Sequence, residues 1–126
     1  MKFTEVRRSV FSLLCSGHKA VSAYDLAASL GQEYGRRVTP TTVYRALEFL
    51  LEQGLVAHLA TTLTYVLRRP SGVENPLFFV CSKCSVVTQR QDLAFDRILR
   101  LAASKMGFNA RSRAIDVEGL CKRCVQ

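Results

Sequence analysis

The stretch TPTTVYRALEFLLEQG, residues 39–54, contains the best specified helix of the chain. Thr39 can cap this helix with its hydroxyl, Pro40 suits the first helical position, and Gly54 lies just past the end. One face carries apolar side chains at helical spacing, at Val43, Ala46, Leu47, Leu50 and Leu51. The opposite face carries polar side chains, at Thr41, Tyr44, Arg45 and Glu48. The pattern predicts an amphipathic helix whose polar face is open for recognition.

Two more helices precede this one, and a hairpin follows it. Apolar spacing predicts the first helix over about 4–15. The second begins after the capping residue Ser22, with Asp25 three residues on, and Gly31 is expected to end it and open a polar loop over 31–38. Its buried stripe would be Ala23, Leu26, Ala27 and Leu30. Residues 55–59 and 62–67 read as two strands. Three helices and a hairpin outline a winged helix, predicted as a DNA-binding domain over 1–69.

The helical pattern stops at RRPSG, residues 68–72, where Pro and Gly predict a hinge that we extend over 70–76. A second, small α/β domain is predicted over 77–126. Its strands are expected at 77–81, 86–89 and 111–117, around a helix at 92–105 striped by Phe95, Ile98, Leu99, Leu101, Ala102 and Met106. The fold class is therefore α+β, and the strand edges could pair with a second copy of the chain.

Two identical cysteine pairs lie in this second half: Cys81-Ser-Lys-Cys84 and Cys121-Lys-Arg-Cys124. Four thiolates can surround one tetrahedral zinc, and a closed site of this kind is structural. The half is too short to bury a large core, so a metal tying its first strand to its last residues would matter. We predict one structural Zn²⁺ per chain. A disulfide pair, a redox C-x-x-C and an iron site remain alternatives.

The N-terminal residues contain no signal-peptide pattern, and no apolar run is long enough to span a bilayer. A cytoplasmic protein is expected, in which cysteines more often serve metal binding or chemistry than disulfides. The fifth cysteine, Cys15, lies on the apolar side of the first helix near Leu14. It is predicted to be a buried core thiol.

Positive charge suggests a polyanionic partner, since 18 Lys and Arg face 10 acidic residues for a net charge of +8. The helix at 40–53 could enter the major groove of duplex DNA, where Arg45 could donate two hydrogen bonds to guanine. Other predicted DNA contacts are Thr41, Thr42 and Tyr44 on this helix, and Lys19, Arg36 and Arg37 in loops around it. The alternative is an ordinary amphipathic helix with a solvated polar face.

Several motifs together resemble the Fur family of bacterial metal-responsive transcription regulators, and most nearly its zinc-uptake branch. They are SAYDL at 22–26, PTTVYRALEFLLEQG at 40–54, KMGF at 105–108, GLC at 119–121 and both cysteine pairs. The resemblance implies a homodimer, expected to be a repressor, bound to an AT-rich inverted repeat. It implies that Tyr24 and Arg45 contact DNA, and that the four paired cysteines hold a structural zinc supporting the dimer.

The resemblance also implies a metal-sensing site whose ligands this sequence has lost. Where the family has a histidine and a cysteine at the hinge, this chain has Ala57 and Arg68. A further family histidine is replaced by Glu74, and the acidic ligand is replaced by Gln89. His58 lies one residue from the expected position, but a one-residue step along a strand reverses the direction of a side chain. Glu74, Asp92 or Glu118 alone would favour weak binding of hard cations, so a second, regulatory metal is left open.

Arg68 puts a fixed positive charge at a presumed metal-ligand position. One hypothesis is that Arg68 pairs with Glu74, mimics the cation and holds the two domains in the DNA-binding pose. The alternative is that Arg68 meets DNA phosphate or solvent.

An enzyme is not expected, because a catalytic zinc needs an open coordination position and a nearby base, and four cysteines leave neither. A different class of function stays open. The chain could be a metal-independent interaction module or heterodimer partner that retains the Fur-like dimer domain.

Overall fold

The computed structural model describes residues 4–70, 73–112 and 114–126. The elements in chain order are α1 (Glu5–Cys15), α2 (Ala23–Tyr34), α3 (Pro40–Glu52), β1 (Val56–Leu59), β2 (Thr64–Leu67), β3 (Leu77–Cys81), β4 (Val87–Arg90), α4 (Leu93–Lys105) and β5 (Ile115–Gly119). Strands β1 and β2 form an antiparallel hairpin. The second sheet has the order β4-β3-β5, antiparallel between β3 and β4 and parallel between β3 and β5. The predicted α+β class, with a winged helix followed by a smaller α/β unit, is confirmed.

Each helix of the winged helix starts at a side-chain cap, and the caps of α2 and α3 are the predicted ones, Ser22 and Thr39. The hydroxyls of Thr4, Ser22 and Thr39 accept hydrogen bonds from backbone N–H groups in the first turns of α1, α2 and α3. These bonds satisfy N–H groups that have no partner inside the helix. Behind the caps the apolar faces meet in one core, which includes Val10, Leu14, Leu26, Leu30, Val43, Leu47 and Leu50.

The predicted end of α2 at Gly31 is wrong, and so is the predicted loop over 31–38. The helix continues to Tyr34 and ends at Gly35, which has a left-handed φ of 66°. A glycine in that conformation is the usual helix stop. Gly31 serves close packing instead, because a Cβ there would lie 3.3 Å from the carbonyl oxygen of Arg36. The hydroxyl of Tyr34 donates to Ser9 Oγ at 2.7 Å and ties the added turn to α1.

Cys15 is exposed rather than buried. Val10 and Leu14 occupy the core-facing positions of α1. Successive residues of an α-helix point about 100° apart, so the last residue of α1 turns away from the face that holds Leu14.

Strand boundaries in the second sheet differ from the predicted ones. β4 covers Val87–Arg90 rather than 86–89. The last strand covers Ile115–Gly119 rather than 111–117, because β5 pairs with β3 in a register that joins Leu77 to Ile115 and Cys81 to Gly119. Of the residues before it, Arg113 lies outside the described part of the chain.

The two sheets and the loop before α2 share a second cluster of buried apolar side chains. This shared apolar cluster comprises Ala20, Ala57, Leu59 and Val66 from the winged helix, with Phe78 and Val80 from β3. Beside it an isolated antiparallel bridge joins Lys19 to Val86. Ala20 N–H donates to the Ser85 carbonyl at 2.8 Å, and Val87 N–H donates to the His18 carbonyl at 2.9 Å. The winged helix therefore packs directly on the β3–β4 hairpin.

Part of the predicted hinge is packed against the rest of the chain. Ser71 and Gly72 lie outside the described residues, but Val73, Asn75 and Pro76 are buried. Asn75 Nδ2 donates to Asp96 Oδ1 at 2.9 Å, and Asp96 also pairs with Arg100 at 3.1 Å. This segment is therefore fixed to α4.

Candidate metal centre and nucleic-acid surface

The four paired cysteines converge at one end of the second sheet. Because β3 and β5 run parallel, Cys81 and Gly119 end their strands side by side, and Ser82 N–H donates to the Gly119 carbonyl at 2.8 Å. Tight turns after the two strands carry the remaining cysteines. The Sγ atoms of Cys81, Cys84, Cys121 and Cys124 lie within 4.8 Å of one another. We call this group the cysteine cluster.

The geometry of the cysteine cluster fits a tetrahedral metal. The Sγ atoms of Cys84 and Cys121 are 3.7 Å apart. A tetrahedral zinc with Zn–S bonds of about 2.3 Å places its sulfurs about 3.8 Å apart. All five cysteines are free thiols, so the structure does not support the disulfide alternative.

Backbone N–H groups aim at the sulfur of Cys81. The N–H of Cys84 donates to Cys81 Sγ at 3.5 Å and that of Cys121 at 3.4 Å. These two bonds lower the pKa of Cys81 to about 6. Hydrogen bonding with the Cys121 side chain, followed by burial, raises the pKa of Cys124 to about 12. A metal ion binds cysteine as the thiolate, so its binding would displace the protons of these thiols.

The structure assembles no second cluster of this kind from the residues it describes. The ring of His58 lies beside that of Tyr65, with centroids 4.7 Å apart. Ala57, at the position where the family resemblance implies a histidine, is buried in the shared apolar cluster. The replaced ligand positions therefore do not regroup into an alternative donor set.

Arg68 and Glu74 do lie near each other. With Arg111 and Ser112 they line an open cleft of about 610 Å³. Among the described residues an ion pair joins Arg100 to Asp96, but none joins Arg68 to Glu74, so the hypothesised pair is not formed within 4.0 Å. A guanidinium nitrogen of Arg68 instead lies 3.6 Å from where a Cβ on Gly54 would sit.

The predicted recognition face is exposed at the N-terminal end of α3. Thr41, Tyr44 and Arg45 face solvent, and 45% of Tyr44 is accessible. Tyr24, near the start of α2, is 67% exposed. Thr42 is also exposed, but its hydroxyl lies 3.1 Å from that of Thr39 and belongs to the helix cap.

The predicted loop cations are exposed as well. The guanidinium of Arg36 lies over the ring of Tyr34, 5.2 Å from its centroid, and Arg37 follows it in the loop before α3. The backbone of Lys19 belongs to the bridge with Val86, and its side chain is exposed.

Sequence reasoning missed two polar contacts between the winged helix and the second sheet. Thr61, in the turn of the β1–β2 hairpin, donates its backbone N–H to Asp116 Oδ2 at 3.0 Å and its hydroxyl to the same oxygen. Gln89 of β4 hydrogen-bonds the backbone of Arg69. Both contacts join residues far apart in the sequence, so no local pattern marks them.

None of the helices built from the described residues has the length and apolar character needed to cross a membrane.

Comparison with known proteins identifies the family. The family model described as the ferric uptake regulator family matches residues 1–118. The zinc uptake regulation protein of Escherichia coli (strain K12) is 37% identical over 128 residues, which cover 100% of this chain and 74% of that protein. A zinc uptake regulator solved in complex with zinc and DNA superposes with a TM-score of 0.86 at 36% identity, covering 99% of this chain and 84% of that one.

A further relative, XcZur, has been solved in two forms. The holo form superposes with a TM-score of 0.78 and the apo form with 0.53, both at 28% identity and covering 87% of the XcZur chain. They cover 99% and 100% of this chain, so the arrangement seen here is closer to the holo form. The family match confirms the resemblance drawn from the sequence. The chain belongs to the ferric uptake regulator family, whose members are transcription regulators and not enzymes.

Proposed function

We propose that the chain is a sequence-specific transcription repressor that binds an AT-rich inverted repeat as a homodimer in the cytoplasm. The observation that carries the proposal is the exposed polar end of α3, with Arg45 and Tyr44, on a chain similar over its length to a zinc uptake regulator complexed with DNA. Arg45 reads a guanine, and Tyr24, Thr41 and Tyr44 contact backbone or base edges. Lys19, Arg36 and Arg37 bind phosphates, and Thr42 orders the cap.

The predicted domains divide this work. Residues 1–69 bind DNA, residues 77–126 form the dimer, and residues 70–76 join them. Two features of the second half support pairing with a second copy. Strand β5 is the outer strand of its sheet, so one of its edges has no neighbour among the described strands. Helix α4 exposes large apolar side chains, with Ile98 66% and Leu101 58% accessible. Burying such side chains favours association.

The cysteine cluster holds one structural zinc per chain. Its support is the convergence of four Sγ atoms within 4.8 Å of one another, with one pair 3.7 Å apart, because four thiolates fill every position of a tetrahedral zinc. Zinc here joins the ends of β3 and β5 and so stabilises the sheet that carries the dimer surface.

The sensing site has been lost, and DNA binding does not need a second metal. Support comes from Ala57, Arg68 and Gln89, which offer no ligand that zinc prefers. His58 and Glu74 do not join any cluster within the described residues. Arg68 and Glu74 share a cleft, which keeps a charge-pairing role for Arg68 open to test by Arg68→Cys with Glu74→His. That double variant would gain a zinc response if the positions still form a site.

The test is fluorescence anisotropy on a duplex carrying an AT-rich inverted repeat and on a random duplex, with the cysteine cluster loaded. Affinity should fall with salt at a log–log slope of about −0.9 per phosphate contact. Arg45→Ala should cost about 1–3 kcal/mol on the specific duplex and relax base preference at one position of each half-site.

The matched control is Arg97→Ala, which removes an exposed arginine from α4 in the second half. It should leave both affinities unchanged while the dimer persists. An equal loss of specific and random binding by Arg45→Ala would refute base reading. Failure of the unmodified protein to bind any duplex at low salt would favour the heterodimer-partner alternative.

A further inference from the structure

The segment that leaves the winged helix is hydrogen-bonded to β4 by two glutamine side chains. Gln89 Oε1 accepts from the backbone N–H of Arg69 at 2.8 Å, and Gln89 Nε2 donates to the carbonyl oxygen of Arg69 at 2.9 Å. One side-chain amide thus satisfies both backbone polar groups of one residue. Two residues on, Gln91 Nε2 donates to the carbonyl oxygen of Pro70 at 2.9 Å. We call these three bonds the linker clamp.

The linker clamp connects the winged helix to the second half of the chain. The relative position of these two parts determines how α3 is presented to DNA. Arg69 lies two residues after the end of β2, the last element of the winged helix. Gln89 is held in β4 by pairing with Phe78, which is fully buried in the shared apolar cluster. A side chain on a paired strand is a rigid point from which to fix the start of the linker.

The chemistry of the clamp is specific to an amide. Only a side chain with both a donor and an acceptor can bond an N–H and a C=O at once. A carboxylate at position 89 would accept from the Arg69 N–H but would place negative charge against the Arg69 carbonyl oxygen. A leucine of similar size would make neither bond.

We propose that Gln89 is a positioning residue that holds the winged helix in its DNA-binding orientation without a sensory metal, with Gln91 in a supporting role. The inference rests on the proposed DNA-binding function and deepens it. It is supported by the greater similarity of the chain to the holo form of XcZur, at a TM-score of 0.78, than to the apo form, at 0.53. The bridge at Lys19 and the Thr61–Asp116 contact also join the winged helix to the second half. The linker clamp therefore supplies only part of the restraint on the orientation of the winged helix.

The experiment compares Gln89→Leu, Gln89→Glu and Gln91→Leu with the unmodified protein, all with the cysteine cluster loaded. The control is Gln32→Leu, an exposed glutamine of α2. Fluorescence anisotropy measures operator affinity, and sedimentation measures the mass of the dimer. Hydrogen exchange at the Arg69 amide reports on the linker clamp, and small-angle scattering reports on overall shape.

We expect Gln89→Leu to weaken operator binding about tenfold, because two hydrogen bonds that restrain the start of the linker are lost. Gln89→Glu should lose at least as much, Gln91→Leu less, and Gln32→Leu nothing. Exchange at Arg69 should accelerate in Gln89→Leu while the dimer stays intact, an outcome that general destabilisation would not give.

Operator affinity and Arg69 exchange that are unchanged in Gln89→Leu and Gln89→Glu would overturn the inference. If Gln89→Leu does not fold, Gln89→Glu carries the same test. A protein that binds no duplex would sink the proposed function. The positioning role of Gln89 would then be tested by scattering and by hydrogen exchange at Arg69. A change of both in the variants would support that role, and no change would overturn it.

Discussion

The winged helix, residues 4–70, packs three capped helices around a core of its own, whereas residues 73–126 bury few side chains within one chain. The first half fills its core from every helix. In the second half α4 buries only Asp96 and Ala103 and exposes Ile98, Leu101 and Met106. The contrast indicates that the first half is stabilised by its own packing, and the second by groups from outside the single chain: a metal and a partner.

The two halves meet through the shared apolar cluster, the linker clamp and the Thr61–Asp116 contact. These contacts hold the winged helix on the second half of the chain. The contrast between the halves is testable, since a substitution confined to one half should lower the stability of that half most.

The largest effect is expected from Cys84→Ser. Structural zinc contributes roughly 10 kcal/mol or more of binding free energy to folding, so losing one ligand should unfold or monomerise the second half. Zinc content, sedimentation and circular dichroism measure the result. Cys15→Ser removes an exposed thiol and is the matched control, which should behave as the unmodified protein. A Cys84→Ser variant that stays dimeric and binds DNA would contradict the role of the cluster.

A smaller effect is expected from Leu47→Ala in α3, which should act on the first half whether or not zinc is bound. Leu47 is fully buried, and truncating such a leucine costs about 2–5 kcal/mol. Urea unfolding, followed with and without a chelator, measures the loss. Leu63→Ala, at a side chain that is 69% exposed, should change little. A loss seen only in the chelated protein would mean that the first half also depends on the metal.

The smallest effect is expected at the contact between the halves. Burial favours the neutral form of Asp116, but the hydroxyl and N–H of Thr61 donate to its carboxylate, and the net result lowers the pKa of Asp116 below its usual 3.8. A lowered pKa in the folded state stabilises the fold above the unfolded-state value, and the gain disappears as pH falls through the folded-state pKa.

Thr61→Val should therefore cost about 1 kcal/mol at pH 7, because it removes one hydrogen bond to a charged group at a partly exposed site. The difference from the unmodified protein should stay constant from pH 7 to about 5 and shrink below about pH 4. Unfolding free energies across this range measure it, with Thr88→Val on β4 as an exposed control. A difference that persists at pH 3 would show that the hydroxyl does not act through the carboxylate.

The sequence was most informative where structure is decided locally. The predicted caps at Ser22 and Thr39 are confirmed, and most of the apolar stripes of α2 and α3 is buried as predicted, because each depends on residues within one or two turns. The end of α2 was predicted wrongly because two glycines, Gly31 and Gly35, compete for the stop. The packing of Gly31 against Arg36 and the left-handed φ of Gly35 distinguish them, and the local sequence shows neither.

The cysteine cluster was predictable because the spacing of a C-x-x-C turn places its two thiols close together. The structure brings the four sulfurs of both turns together. The start of β5 and the contacts of Gln89 were not predictable, since each depends on pairing between distant segments. The predicted DNA contacts and domain limits stay predictions that the proposed variants test.

Operator affinity across buffered free zinc, with the cysteine cluster kept loaded, tests the central claim most directly. The probe is an AT-rich inverted repeat from upstream of the protein's own gene. A chain whose sensing ligands have been replaced should bind tightly and with the same affinity at every zinc level. Affinity that rises steeply with zinc would contradict the account and reveal a sensory site formed by other residues.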